Sequence, residues 1–95
     1  MDLDDLSNRV VDAIEKGRFT RAEKLCRRLL REYPKMFDGH ERLAMVREAQ
    51  GRYQEAAKHY DIVLGMMRKN PEGIDEETIE YVTERRDAAL AQAKD

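Results

Sequence analysis

The feature that most constrains this chain is a phrase that occurs twice. Residues 17–30 read GRFTRAEKLCRRLL and residues 51–64 read GRYQEAAKHYDIVL. Gly17/Gly51, Arg18/Arg52, Ala22/Ala56, Lys24/Lys58 and Leu30/Leu64 are identical pairs, Phe19/Tyr53 and Leu29/Val63 keep apolar character, and every pair is 34 residues apart. A fixed period of that size means one helical-hairpin unit used twice, and neither copy can bury its apolar face without the other.

The flanking residues supply the helices. In residues 3–16, Leu3, Leu6, Val10 and Ala13 share one stripe at spacings of three and four, which Val11 and Ile14 widen. Asp2 is the expected N-cap of this helix and Gly17 its stop. The second helix is expected to open on a Thr20/Glu23 capping box, bury Ala22, Leu25, Cys26, Leu29, Leu30 and Tyr33, and end before Pro34. So short a connection forces the two helices antiparallel. Residues 37–50 repeat the first helix, with Phe37, Ala44 and Met45 in the places of Leu3, Val10 and Val11, and with Asp38 and Glu41 as an acidic capping arrangement. A fourth helix, about 54–69, buries Ala56, Ala57, Tyr60, Val63, Leu64 and Met67. Its second apolar edge, Ile62 and Met66, calls for cover.

After the turn at Asn70, Pro71, Glu72 and Gly73, Asp75 is expected to cap a last helix reaching about residue 93. Ile79, Val82, Ala89, Leu90 and Ala93 line one side of it and Arg86 interrupts them. The period is not restored here, because Arg85 and Asp87 stand where a glycine and an aromatic would return. This helix therefore reads as a terminal cap, with Glu76, Glu77, Glu80 and Glu84 in water. The expected fold is all-α with five helices, one domain over residues 1–95: repeat one about 3–36, repeat two about 37–71, capping helix about 75–93.

Composition excludes several functions. No run of about 18 apolar residues exists, so no bilayer-spanning helix is expected. The acidic opening MDLDDLSNRV lacks the basic start and apolar core of a leader, and the single Cys26 cannot form an internal disulfide; both point to the cytoplasm. His40 and His59 lie on different helices without an H-E-x-x-H or Cys/His cluster, and there is no glycine-rich phosphate loop. His40 is expected to pack, His59 to face solvent and Cys26 to be a buried, inert thiol. Carboxylate pairs such as Glu76/Glu77 sit in a solvated run. No enzyme activity, cofactor or metal is expected.

The spacing and the A-x3-x pattern resemble the tetratricopeptide repeat. Ala22-x3-Cys26 then Pro34, and Ala56-x3-Tyr60, each preceded by glycine, any residue and an aromatic, carry the second half of that pattern. The first half is weak: His40, Leu43, Ala44 and Arg47 stand in copy two, and Leu6, Arg9, Val10 and Ala13 in copy one. The resemblance implies a right-handed stack of two antiparallel helical hairpins plus a C-terminal capping helix. It also implies binding of a peptide or protein partner on the concave surface, as an adaptor or scaffold. On these residues that surface would carry Asp4, Ser7, Val11 and Ile14 from the first helix, and Glu41, Met45 and Glu48 from the third. It lacks the lysine, asparagine and arginine set with which some members clamp a terminal carboxylate. A partner with basic or apolar side chains is expected instead.

Charge supplies a second candidate surface. Residues 16–35 carry eight bases against Glu23 and Glu32, whereas residues 72–95 carry eight acids against three bases. Arg21, Lys24, Arg28, Arg31 and Lys35 follow one another along helix two, with Arg27 beside them. Such a ridge could serve a regulatory or nucleic-acid-associated accessory protein. The absence of an exposed aromatic or recognition helix, and the acidity of the whole, argue against nucleic acid. An acidic protein partner fits better, and one such partner is a second copy, which makes a homodimer an open expectation.

Overall fold

A computed structural model describes residues 1–94. Its described residues form α1 (Leu3–Glu15), α2 (Phe19–Glu32), α3 (Asp38–Ala49), α4 (Tyr53–Lys69) and α5 (Glu76–Ala93). Asp2 and Asp75 cap as expected: Asp5 N–H donates to Asp2 Oδ1 at 2.8 Å, and Thr78 N–H to Asp75 Oδ1 at 2.8 Å. The repeated glycines close α1 and α3 identically. Gly17 and Gly51 take φ of 70° and 76°, Gly17 N–H bonds to Ile14 O and Gly51 N–H to Glu48 O, and Arg18 and Arg52 reach back to Ala13 O and Arg47 O, both at 2.8 Å. This is the paired hydrogen-bond pattern that a left-handed residue makes possible at a helix C-terminus, and only glycine takes that conformation without strain.

Two expected caps do not form. α2 begins at Phe19, one residue ahead of Thr20, and no side chain caps it; Glu23 turns instead to the guanidinium of Arg47 on α3. The glycine turn already delivers the chain in helical direction, so Glu23 is free to tie α2 to α3, and Arg47 holds its carboxyl below the usual carboxylate range. Likewise α3 starts at Asp38 behind a helical Phe37, and Glu41 lies against Arg42 rather than at a cap.

The hairpins α1/α2 and α3/α4 pack antiparallel, α3 lies against α1 and α2, and α5 against α4. One apolar cluster joins Leu6, Val10, Ala22, Cys26, Leu29 and Val46; a second joins Ala44, Ala56, Tyr60, Val63, Met67 and Val82. Ala22 and Ala56, the corresponding positions of the two repeats, are both fully buried. Cys26 is buried as well, and burial pushes its thiol up to about 12, which keeps it protonated and unreactive.

α5 covers one flank of α4 only. Val82 and Ala89 are buried, and Arg86 is a link rather than an interruption, its Nη1 lying 3.1 Å from Asp61 Oδ1. The rest of the expected α5 stripe is not buried: Ile79, Leu90 and Ala93 stay exposed. Ile62 is 43% exposed, so the apolar edge of α4 is still open within one chain. Among the described residues no helix is long and apolar enough to cross a membrane.

Candidate functional site

α1 and α3 lie side by side, and the C-terminal half of α5 closes one end of the surface they form. Val11, Ile14 and Met45 are half-buried there and Asp4 is exposed. Ile14, Met45, Ala49 and Tyr53 face Arg85, Ala89 and Gln92 across a groove of about 470 Å³. It is an apolar trough with polar ends.

Two residues expected on the free surface are not free. Ser7 is only 3% exposed, and its hydroxyl oxygen accepts a 2.7 Å hydrogen bond from Arg42 Nε. A hydroxyl inside an apolar stripe needs a partner, and Arg42, reaching across from α3, provides it. Arg42 Nη1 also lies 3.3 Å from Glu41 Oε1 and 3.1 Å from Met45 Sδ. Glu48 is likewise engaged: Arg85 Nη2 lies 3.0 Å from both of its carboxylate oxygens, and the buried Tyr60 hydroxyl donates to it. This cluster ties α3, α4 and α5 together, and burial, aided by Glu48, raises the pKa of the Tyr60 hydroxyl. Glu48 therefore holds the cap in place, and it also lines the groove between α3 and α5.

Glu41 remains near the surface, and burial raises its carboxyl above the ordinary range despite Arg42. Asp38 is raised in the same way, with Asp4 adding to the effect. Carboxylates held partly out of water gain from an approaching cation more than solvated ones do. The Asp4, Asp38 and Glu41 end of the surface is thus suited to a Lys or Arg side chain.

On α2, Arg21, Lys24, Arg27 and Arg31 are exposed as expected, whereas Lys35, though exposed, lies in the turn beyond the helix end; Arg28 is half-buried and paired with Glu32, and Arg27 lies 3.8 Å from Glu23. Arg18, Arg21, Lys24 and Arg31 surround a hollow of about 810 Å³ that Phe19 and Leu25 also line.

His59 does not face solvent as its polarity suggested. It stacks on His40 across the α3/α4 contact, ring centroids 5.5 Å apart at an interplanar angle of 28°, with Nδ1 to Nδ1 at 3.3 Å. One Nδ1 must donate and the other accept, so the two rings cannot both be protonated while this hydrogen bond is made. Burial holds both pKa values below the ordinary range, and His40 and Arg47 add to this for His59. The unfolded chain then binds protons more readily than the folded one. This contribution to stability is complete above about pH 6.5 and is lost as pH falls from there through the lower folded values. Melting curves between pH 8 and 5 should show wild type losing more stability below pH 6.5 than His40→Gln/His59→Gln; parallel losses would remove the histidine pair as the cause. Among the described residues no group of three or more His, Cys, Asp or Glu could hold a metal ion.

Sequence periodicity missed Arg42 and Arg85. The one signal for the first was Ser7 itself, polar within a buried stripe; for the second there was none, since Arg85 lies where the repeat lapses.

No curated protein and no solved structure matches the chain. The family model described as tetratricopeptide repeat matches residues 8–73, from within α1 through the turn after α4. That span is more than half of the chain and takes in both copies of the phrase that recurs after 34 residues, with the glycine turns and buried alanines they share. The chain belongs to the tetratricopeptide repeat family.

Proposed function

We propose that this protein is a protein–protein interaction module, an adaptor or scaffold, that receives a peptide or helix of a partner on the surface of α1 and α3. The observation that carries this reading is the trough at Ile14, Met45, Ala49 and Tyr53, on a surface whose other end, toward the start of α3, holds the half-buried carboxylates of Glu41 and Asp38. A segment with apolar anchors at the trough and a Lys or Arg near Glu41 satisfies both. Tetratricopeptide repeats generally mediate protein–protein contacts, which agrees with that use of the surface.

Capture from extract of the source cells tests the reading, with wild type, Met45→Glu and Arg21→Glu/Arg31→Glu as baits. Met45→Glu places a carboxylate in the trough at a half-exposed position, where it should leave the fold intact and cost about tenfold or more in affinity, roughly 1.4 kcal/mol. The expected result is a partner held by wild type and the α2 variant and lost from Met45→Glu. A partner indifferent to Met45→Glu, or capture abolished by nuclease or by the α2 variant, would overturn the assignment in favour of the basic ridge.

A further inference from the structure

α2 and α5 carry rows of opposite charge that no ion pair among the described residues engages. Arg21, Lys24 and Arg31 lie along the exposed face of α2, and Glu77, Glu80 and Glu84 along the exposed face of α5. Among the described residues none of the six has an ion-pair partner; the pairs on these helices use Arg27, Arg28, Arg85 and Arg86. α2 packs on α1 and α3 while α5 packs on α4, so the two rows do not meet inside one molecule.

Their shapes correspond as well as their charges. Each row lies along one face of its helix, Glu77, Glu80 and Glu84 at spacings of three and four over about 10 Å, and Arg21, Lys24 and Arg31 at spacings of three and seven over about 15 Å, so the acidic row fits within the span of the basic one. The α2 row borders the 810 Å³ hollow that Phe19 and Leu25 line. The α5 row surrounds Tyr81, which is 55% exposed and the most exposed large apolar side chain of the chain's described residues. A tyrosine ring entering a hollow edged by guanidinium groups gains apolar contact and cation–π attraction together.

We propose that a second copy of this chain docks head-to-tail, α5 of one copy against α2 of the next. Tyr81 sits in the hollow beside Phe19 and Leu25, and Glu77, Glu80 and Glu84 face Arg21, Lys24 and Arg31. The contact uses different patches on the two copies, so it propagates into short chains or closes into a ring. It uses Glu77 to Glu84 of α5, whereas the α1/α3 trough is bordered by Arg85 to Gln92 of the same helix. The charge on α5 is also what disfavours nucleic acid here, because a phosphate backbone on α2 would meet repulsion from the acidic face of any neighbouring copy.

Sedimentation velocity over about 1–300 µM protein, the range suited to a small polar contact, tests the proposal. At low salt the mean mass should rise with concentration above the 11.1 kDa of one chain. At about 1 M salt, where the Debye length is near 3 Å, it should fall back. Arg21→Glu/Arg31→Glu and Glu80→Lys/Glu84→Lys should each be monomeric alone, since each carries like charges on both faces, and should associate when mixed. Tyr81→Ala should weaken association about tenfold without changing the helical circular dichroism. Wild type that remains one chain throughout, reversal variants that associate like wild type, or association that appears only with added oligonucleotide would each overturn it.

Discussion

Ala56→Glu removes a large part of the stability of the fold at neutral pH. Ala56 is 0% exposed, on the face of α4 that meets the core of its own hairpin, and its counterpart Ala22 is equally buried in the first. A glutamate there brings volume and a carboxylate into a close helix contact among apolar neighbours. Such a group costs about 3–5 kcal/mol, against a total of about 5–14 kcal/mol for a domain of this size. Burial would also raise the new carboxyl's pKa, so the variant should be less unstable at pH 5 than at pH 8. Ala91→Glu, at an exposed position of α5, serves as the control and should change stability by no more than about 0.5 kcal/mol. Thermal and urea melts of the three proteins decide the matter: equal melting temperatures for wild type and Ala56→Glu would contradict the packing of the repeats.

The parts of this structure that depend on local chain chemistry were legible, and those set by side chains crossing between helices were not. The repeat is legible because one backbone geometry is used twice and demands the same residues: a glycine at positive φ, an aromatic two residues on, and an alanine at the helix contact. Asp2 and Asp75 are legible as caps because each acts on a backbone N–H three residues away. Thr20 and Glu23 carry the same local signal and mislead, since Arg47, 24 residues away in sequence, takes Glu23 for itself. The candidate site follows the same division. Ile14 and Met45 line one groove because helical periodicity places them. Ser7, Glu48 and His59 satisfy the same periodicity, yet each has a partner on another helix, Arg42, Arg85 and His40, that periodicity does not specify.

Gly39→Leu should be the second most damaging single change, for a reason that sequence patterns do not reveal. Gly39 is buried in α3, and a Cβ at that position would lie 2.7 Å from Leu30 Cδ2, 2.9 Å from Leu30 Cγ and 3.3 Å from the Leu30 backbone nitrogen. The outer Leu30 atoms could move, but the backbone nitrogen belongs to α2 and moves only if the helices separate. Helix propensity acts in the opposite direction, because leucine in place of glycine favours a helix by about 0.5–1 kcal/mol. Overpacking of a close contact costs about 1–3 kcal/mol for a few added methylenes, and leucine adds four carbons where the first already collides. The contact therefore wins, with a net loss of up to about 2 kcal/mol. Because most of the collision is with one side chain, Leu30→Ala should relieve it. The double variant should be more stable than the sum of the two single losses by about 1 kcal/mol or more, the size expected for residues in direct contact. A Gly39→Leu protein that melts at or above the wild-type temperature, or losses that simply add, would mean that α2 and α3 do not approach each other at Gly39.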